Sequence, residues 1–197
     1  MNGRVAVPLP KAYRLLNHGP TVLVSSAHAG RRNVMAAAWS MPLDFEPPKV
    51  AVVIDKSTLT RELVEASGEF VLSVPSRQQA ALTLAVGTRS GREVDKFSIV
   101  GADSLRVPGK TLRAQATAAS MVGAPLIEGC LAWLECRVIP EPHNQQTYDL
   151  FLAEVVAAWA DPAVFSEGRW HFPDTQQRSI HYLSGGSFFA TGDAFEA

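Results

Sequence analysis

Hydroxyl and basic side chains cluster where a buried-strand pattern gives way to a helix pattern. Ser57, Thr58 and Thr60 lie at this junction, flanked by Lys56 and Arg61. A helix N-terminus has unpaired backbone N–H groups and a partial positive charge, and both favour a phosphate. A Ser or Thr at this position also commonly caps its own helix. The spacing leaves phosphate binding and simple capping open, and capping is the commoner use of such residues.

A second segment with chemical potential is NVMAAAW, from Asn33 to Trp39. Its three consecutive alanines would let a flat ligand approach the backbone, and Trp39 could supply an aromatic wall. A tightly packed core strand has the same pattern, and that explanation is favoured without further evidence.

Several other chemistries lack their sequence signatures. No G-x-S-x-G, Walker or G-x-G-x-x-G pattern occurs, which argues against a hydrolase elbow, a P-loop and a Rossmann crossover. The five histidines are never spaced as zinc ligands, so no metal site is predicted. Cys130 and Cys136 are expected to be buried, unreactive thiols on the apolar face of one strand. No side chain is singled out as catalytic.

Composition narrows the classes of partner. The chain has 18 Lys and Arg against 19 Asp and Glu, and its basic residues are scattered, so we expect no nucleic-acid partner. No signal-peptide pattern and no membrane-length apolar run is present, so we expect a cytoplasmic protein without a membrane partner. The 197 residues are 47% hydrophobic and contain no repeat, which favours a single domain.

Short apolar runs predict the strands that would position the hydroxyl cluster and the alanines. Residues 21–26, 49–54 and 69–74 have the β-branched or continuously apolar character of buried strands. Residues 34–39 are ambiguous between strand and helix by periodicity.

Two helices are predicted between these strands. One covers residues 58–66 and ends at Gly68. The other covers residues 76–86, opens with a capping box between Ser76 and Gln79, and stops near Gly87.

The second half of the chain has the clearest alternation. Residues 130–138 predict a strand with Glu135 and Arg137 opposite its apolar face, and residues 150–159 predict its antiparallel partner across a polar turn at 140–146. The predicted apolar faces are Cys130, Ala132, Leu134, Cys136 and Val138 on the first strand, and Phe151, Ala153, Val155, Ala157 and Trp159 on the second. Several short strands and two helices predict a mainly β fold, a small barrel with helical decoration.

Taken in order, these segments resemble the flavin reductase-like family with its FMN-binding split-barrel fold, and its flavoredoxin-type branch in particular. The resemblance covers residues 13–186. It rests on the strand Asn33–Trp39, the helix start Thr58–Thr60, the D-K-F-S run Asp95–Ser98 and the closing pair Gly185–Gly186. Each motif is weak alone, whereas their order and spacing together are specific.

The resemblance implies a Greek-key split barrel, mainly β with helices, that forms a homodimer and binds FMN near the subunit interface. It implies one domain over residues 1–197, with a core at about 13–186 and a tail at 187–197. Carried over residue by residue, it implies that the flavin ring and ribityl chain contact Asn33, Met35, Ala36, Ala37, Ala38 and Trp39. It likewise implies that Ser57, Thr58, Thr60 and Lys96 hold the phosphate and that Phe97 lines the pocket.

The chain departs from the family pattern in two places. Many members have H-T-L-F-x-G-E-V where this chain has YDLFLAEV, so Tyr148 replaces the His and Ala153 replaces the Gly. If that His handles the nicotinamide, its loss slows flavin reduction by NADH or NADPH. Ala36 and Ala38 also lack the family's usual hydroxyl, so FMN binding would depend more on backbone groups.

Three functions are compatible with these features. The leading hypothesis is an FMN-dependent oxidoreductase that takes hydride from NADH or NADPH and supplies free flavin, a monooxygenase partner or another acceptor protein. The alternative is a non-enzymatic FMN electron carrier, which Tyr148 favours. The third is a binding module with a decayed flavin site, against which Thr58 and Lys96 argue. In the tail, Tyr182 and its neighbour His181 could approach the ring, although a packed or solvated tail is the commoner outcome.

Overall fold

An antiparallel sheet of eight strands organises the chain, and four two-stranded hairpins lie around it. The computed structural model describes residues 3–98, 104–107 and 110–196. The strands are, in chain order, β1 (Val5–Ala6), β2 (Val22–His28), β3 (Arg31–Ala37), β4 (Ser40–Phe45), β5 (Pro48–Val53), β6 (Glu69–Val74), β7 (Arg106–Val107), β8 (Lys110–Thr111), β9 (Ala116–Thr117), β10 (Leu126–Ile127), β11 (Ala132–Ile139), β12 (Leu150–Ala160), β13 (Phe165–Ser166), β14 (Arg169–Trp170), β15 (Ile180–Ser184) and β16 (Ser187–Ala190). The hairpins are β7–β8, β9–β10, β13–β14 and β15–β16.

The sheet runs in the order β3-β2-β6-β11-β12-β5-β4, with β1 beside β12. The mainly β class is confirmed, but the expected closed barrel is not seen: within the described residues, the end strands β3 and β4 do not pair with each other. Only Ala38 and Trp39 join them, a link that spans about 11 Å at most. The two ends of the sheet are therefore close, and Trp39 instead accepts a hydrogen bond from the backbone N–H of Val53 on β5 (3.0 Å).

Both faces of the sheet are covered, which explains the continuous apolar runs. One hydrophobic cluster contains Val22 and Val24 of β2, and a second cluster on the opposite face contains Leu23. Successive residues of a strand point to opposite faces, so a strand buried on both sides needs apolar residues throughout. The predicted strands at 21–26, 49–54 and 69–74 correspond to β2, β5 and β6, and the ambiguous run at 34–39 is largely β3.

The two predicted helices are present as α1 (Leu59–Ser67) and α2 (Ala80–Thr88). The hydroxyl of Thr58 caps α1 by accepting from the Arg61 N–H, and Gly68 ends it with a φ of 70° that glycine tolerates well. The predicted capping box of Ser76 and Gln79 closes a 3-10 turn, Arg77–Gln79, that leads into α2. The helix ends at Thr88, near Gly87 as expected, but it begins at Ala80, after the 3-10 turn, rather than at residue 76. Further 3-10 segments are Leu9–Leu15 and Thr175–Gln177.

The predicted β11–β12 pair is correct, but its connection and its apolar face differ from expectation. The polar segment at 140–146 folds largely into a short helix, α3 (Pro142–Tyr148), rather than a simple turn. The pairing of Cys136 with Val155 and of Glu135 with Ala157 leaves Val156 as an extra residue, a β-bulge. The bulge reverses the alternation beyond it. Ala158 and Ala160 therefore enter the first cluster, and the predicted Ala157 and Trp159 lie on the other face.

The two cysteines do not share a strand face. Cys136 is in β11 and the first cluster, whereas Cys130 precedes β11 and lies in the second cluster. Both thiols are buried and unpaired, and burial raises the pKa of each well above its usual range. They have the environment of the predicted unreactive thiols.

Among the described residues, no helix combines the length and apolar character needed to cross a membrane. Among the same residues, no group of three or more His, Cys, Asp and Glu side chains is arranged to hold a metal ion. At the C-terminal end, β16 pairs with β15, so the tail predicted to begin at residue 187 starts as a paired strand.

Candidate functional site

A cavity of about 470 Å³, which we call the apolar cavity, opens beside the end of β3. This volume is within the range of small-molecule sites. One wall consists of Met35, Ala36, Ala37, Ala38 and Trp39. Five of the residues predicted to contact the flavin therefore line one cavity.

Residues of α2 also line the apolar cavity, namely Thr83, Leu84, Gly87 and Thr88. A Cβ atom on Gly87 would lie 3.1 Å from the Ala36 Cβ, so small residues on both sides allow helix and strand to approach closely. The Thr83 side chain is 1% exposed, and its hydroxyl has no hydrogen-bond partner within the described residues. A buried hydroxyl without a partner is costly, and a polar ligand atom in this cavity could satisfy it.

The β15–β16 hairpin supplies an aromatic wall through Tyr182 and Phe188, whose rings meet edge to face at 5.3 Å. The Tyr182 N–H donates to the Thr21 hydroxyl (2.8 Å), which fixes the hairpin on β2. His181 does not line the cavity. Its Nδ1 bonds to the carbonyl of Gly19 and its Nε2 to the hydroxyl of Thr191, both at 3.0 Å.

The charged side chains that line the apolar cavity are two carboxylates, Asp55 and Asp149. The hydroxyl and the backbone N–H of Ser57 donate to Asp55 and lower the pKa of its carboxyl. Arg61 donates to Asp149 Oδ1 (3.0 Å). Tyr148, which stands where the family has a histidine, is beside Asp149 at the same cavity.

A second cavity of about 360 Å³, which we call the basic cavity, lies at the other end of β3. Arg31, Arg32, Arg92 and Lys96 line it, with two carboxylates and the first residue of α1. Its remaining lining residues are Gly30, Asn33, Leu59, Gly91, Glu93, Val94 and Asp95. Four cations against two carboxylates make this cavity suited to an anion.

The basic side chains of this cavity differ in their exposure and in the partners they already have. Arg31 is exposed and has no ion pair within the described part of the chain. The Arg92 guanidinium pairs with Glu62 (2.8 Å), and that of Arg32 lies over the Phe97 ring at 4.3 Å. Lys96 is 3% exposed, and burial lowers the pKa of its ammonium to about 8.

The four residues predicted to hold a phosphate each have hydrogen-bond partners within the protein. The Ser57 hydroxyl donates to Asp55 (2.6 Å), and the Thr58 hydroxyl donates to the Asp55 carbonyl (2.8 Å) while it caps α1. The Thr60 hydroxyl accepts from the side-chain amide of Asn33 (3.0 Å), and Lys96 donates to two backbone carbonyls. The capping interpretation therefore describes Thr58, and these hydroxyls have local partners of their own.

Two further predicted residues have structural partners instead of open space. Phe97 is 7% exposed in the second hydrophobic cluster, beneath Arg32, and lines neither of the two cavities. Arg61, which the sequence offered as a charge for phosphate, is buried and donates to Ile54 O, Gln145 O and Asp149.

Sequence reasoning missed Thr83, Arg31 and Arg92. The adjacent arginines after Gly30 were a usable signal, because a basic pair at the start of a strand brings charge next to Asn33. The contribution of Arg92 is visible only after the chain folds, since it is far from Arg31 in sequence.

Comparisons with known proteins show the family to which the chain belongs. The family model described as the flavin reductase like domain matches residues 14–179. An uncharacterized Escherichia coli protein, YddH, is 47% identical over 98% of this chain and 97% of its own. A solved structure from Shewanella baltica, described as an FMN-binding domain of a flavin reductases-like enzyme, has a TM-score of 0.89 and 48% identity. It covers 100% of this chain and 98% of that chain.

Two more distant relatives have described roles. The reductase subunit HsaB of a flavin-dependent monooxygenase from Mycobacterium tuberculosis is 29% identical over 64% of this chain and 60% of its own. The flavoredoxin of Desulfovibrio vulgaris has a TM-score of 0.73 at 23% identity, over 91% of this chain and 90% of that chain, which shows a shared fold.

Proposed function

Because the chain belongs to the flavin reductase like domain family, we propose that it is an FMN-binding oxidoreductase with the flavin ring in the apolar cavity and the phosphate in the basic cavity. The observation that carries this proposal is that β3 borders both cavities, Asn33 lining the basic one and Met35 to Ala37 the apolar one. Strand residues rise about 3.3 Å each, so the two sites are about 10 Å apart along β3.

The residues present fit the ring of FMN. The small side chains of Ala36, Ala37 and Ala38, together with Gly87, leave room for a flat ring against the wall that β3 and α2 form. Thr83 belongs to the same lining, and a polar ring atom would satisfy its hydroxyl, which has no partner among the described residues. Backbone groups of Ala36 and Ala38 take the place of the side-chain donor that many family members have.

The phosphate end fits the basic cavity better than the α1 cap alone. The Ser57 and Thr58 hydroxyls are already bonded within the cap, whereas the exposed guanidinium of Arg31 has no ion pair in the described residues. Leu59 brings the first turn of α1 to the same cavity, where its N–H groups favour an anion. We therefore propose Arg31, Arg92 and the start of α1 as phosphate ligands, with Ser57, Thr58 and Thr60 as the support of that turn.

When bound, FMN would supply the redox chemistry, with NADH or NADPH as the hydride donor and another molecule as the electron acceptor. The residues at 35–39 would hold the ring against β3, and Leu84, Tyr182 and Phe188 would shield it from water. No side-chain acid or base has to take part, which accounts for the lack of a catalytic cluster.

Two features favour the alternative of an FMN electron carrier with little NADH or NADPH oxidation. The charged residues that line the apolar cavity are both carboxylates, and while Asp149 is paired with Arg61, Asp55 has no ion pair among the described residues and repels the diphosphate of a dinucleotide. Tyr148 also stands at this cavity in place of the family histidine. Both features weaken donor binding without affecting FMN.

We also propose a homodimer that serves an acceptor in the cytoplasm. Met41, Leu43 and Phe45 are exposed along β4, an end strand of the sheet, and Trp39 beside them is 75% exposed. Such an apolar edge is typical of an interface. HsaB is a reductase subunit of a monooxygenase, which supports a monooxygenase or another electron-acceptor protein as partner.

Absorption spectroscopy tests the function directly. The purified protein is titrated with FMN, and NADH or NADPH is then added anaerobically. We expect a bound-flavin spectrum that bleaches with the nicotinamide. Bleaching only with a chemical reductant would favour the electron carrier, and no binding at excess FMN would contradict both and favour a decayed site.

A further inference from the structure

Lys96 donates hydrogen bonds to two residues that adjoin the lining of the apolar cavity. Its buried ammonium donates to the carbonyl oxygen of Val34 (2.8 Å) and to that of Val86 (2.7 Å). Val34 is in β3, one residue before the apolar-cavity wall begins, and Val86 is in α2, one residue before Gly87. Lys96 also lines the basic cavity.

The two acceptors explain why a buried cation is placed here. β3 is an end strand of the sheet, and end strands have carbonyls that no neighbouring strand can satisfy. Val86 is within the last four residues of α2, whose carbonyls have no partner inside the helix and carry partial negative charge. One ammonium with three N–H donors satisfies both carbonyls and joins the elements that carry them.

The approach of helix and strand is close at the same point. A Cβ on Gly87 would lie 3.1 Å from the Ala36 Cβ, next to the two carbonyls that Lys96 joins. β3 and α2 therefore pack directly against each other here, and residues of both line the apolar cavity. A side chain that ties Val34 to Val86 fixes how these two parts of the cavity wall meet, without itself lining that cavity.

We propose that Lys96 is a positioning residue that holds β3 and α2 together where both form the wall of the apolar cavity, and that it is not principally a ligand of the phosphate. The inference deepens the proposed function and its binding test depends on that function. The charged groups that share the basic cavity with Lys96 are Arg31, Arg32, Arg92, Glu93 and Asp95. Of these, Arg31 provides a matched control because it contacts neither Val34 nor Val86 in the described structure.

Riboflavin separates the two roles because it has the flavin ring and ribityl chain but no phosphate. Loss of a phosphate ligand should lower the affinity for FMN alone. Loss of a residue that shapes the wall of the ring's cavity should lower the affinity for both flavins equally. We expect Lys96→Met to weaken riboflavin and FMN by the same factor, about tenfold or more. We expect Arg31→Met to weaken FMN about tenfold and leave riboflavin unchanged.

The measurement is a fluorescence titration of each variant with both flavins, together with the visible spectrum of the bound flavin. Lys96→Met should shift the band of bound riboflavin, and Lys96→Gln, which keeps two N–H donors without charge, should restore much of the wild-type spectrum. A loss confined to FMN in Lys96→Met, or no loss for either flavin, would overturn the proposal. If Lys96→Met does not fold, the same comparison of FMN with riboflavin in Lys96→Gln decides.

Hydrogen exchange gives a readout that needs no flavin. In the flavin-free protein, Lys96→Met should increase amide exchange in both β3 and the C-terminal turn of α2, relative to Arg31→Met, and Lys96→Gln should increase it less. If the wild-type protein binds neither flavin, the proposed function fails, but the hydrogen-exchange comparison still tests the role of Lys96. Unchanged exchange in both segments would overturn the role.

Discussion

The two cavities border the same strand yet have opposite character. Residues 35–39 border one with small and apolar side chains, whereas Arg31 and Arg32, a few residues earlier, border the other with charge. The partner segment changes in the same way, since α2 provides Leu84 and Gly87 to the first cavity and the chain after it provides Arg92 to the second. A ligand with a flat ring at one end and an anion at the other matches this pair.

The apolar cavity is defined by the shape of its wall, whereas the basic cavity is defined by its charge. The apolar cavity depends on close approach between β3 and α2, so its residues were visible in the sequence as a run of small side chains. The basic cavity depends on cations from distant segments, and its charge excess exists only in the folded chain. Substitutions at the first should affect any flavin, and those at the second should affect flavins that carry a phosphate.

Lys96 gives the largest expected effect. Burial lowers the pKa of its ammonium to about 8 in the folded chain, whereas the value when unfolded is 10.5. Between these pH values the unfolded chain binds more protons, so the free energy of unfolding rises with pH. We expect Lys96 to contribute about 3 kcal/mol to this rise, and Lys96→Met to lack the contribution.

Denaturant unfolding near pH 7 and near pH 10 measures this difference between wild type and Lys96→Met. Inorganic phosphate should reduce the rise in wild type, because an anion in the basic cavity favours the charged ammonium. Identical pH dependence in the two proteins would contradict the burial of a charged Lys96.

The arginines of the basic cavity give the next largest effect. The double variant Arg31→Met, Arg92→Met should lower FMN affinity about 100-fold, because two charge-assisted contacts are lost together. Riboflavin affinity should stay unchanged. The double variant Arg77→Met, Arg169→Met removes the same charge from exposed positions outside both cavities and is the control. Equal losses for the two flavins would show that the phosphate does not bind here.

A glycine in each cavity tests how tightly its backbone is packed. A methyl on Gly91 would lie 2.6 Å from Asn33 Cγ, and that buried amide is held by Thr60. We expect Gly91→Ala to destabilise the fold by about 2 kcal/mol. Gly87→Ala should be nearly neutral, because its contact at 3.1 Å is milder and alanine favours a helix. Chemical denaturation compares the two, and equal stability losses would refute this difference.

The smallest effect is expected at Thr83 in the apolar cavity. Thr83→Val should weaken FMN and riboflavin about tenfold alike, since one hydrogen bond to the ring is lost. It should leave the flavin-free protein at least as stable, because the hydroxyl has no partner there. Thr88→Val is a matched control, as its hydroxyl donates to Leu84 O within the helix (2.9 Å). Isothermal titration with both flavins measures these affinities. Unchanged affinity in Thr83→Val would show that the Thr83 hydroxyl makes no hydrogen bond to the flavin ring.

Much of the fold was predictable where a local pattern decides it. Strands β2, β5, β6 and β11 followed from apolar runs or alternation, and Thr58 and Gly68 marked both ends of α1. The bulge at Val156 was not predictable, because it depends on how β12 pairs with β11 rather than on its own residues. Short α3 was missed because its polar sequence also suits a turn.

Half of the candidate site was predictable for the same reason. Residues 35–39 are adjacent in sequence and stay adjacent in space. Lys96, by contrast, was predicted to bind the phosphate together with the hydroxyls at the start of α1. Its ammonium instead donates to the carbonyls of Val34 and Val86. A sequence shows which side chains could bind an anion, but not which of them the fold has already paired.

A crystal structure of the protein with FMN tests the division between the two cavities most directly. We expect the flavin ring in the apolar cavity, against β3 and α2, with the Thr83 hydroxyl bonded to it, and the phosphate within hydrogen-bond distance of Arg31 or Arg92. A ring bound elsewhere, or a phosphate directed away from the basic cavity, would contradict the account.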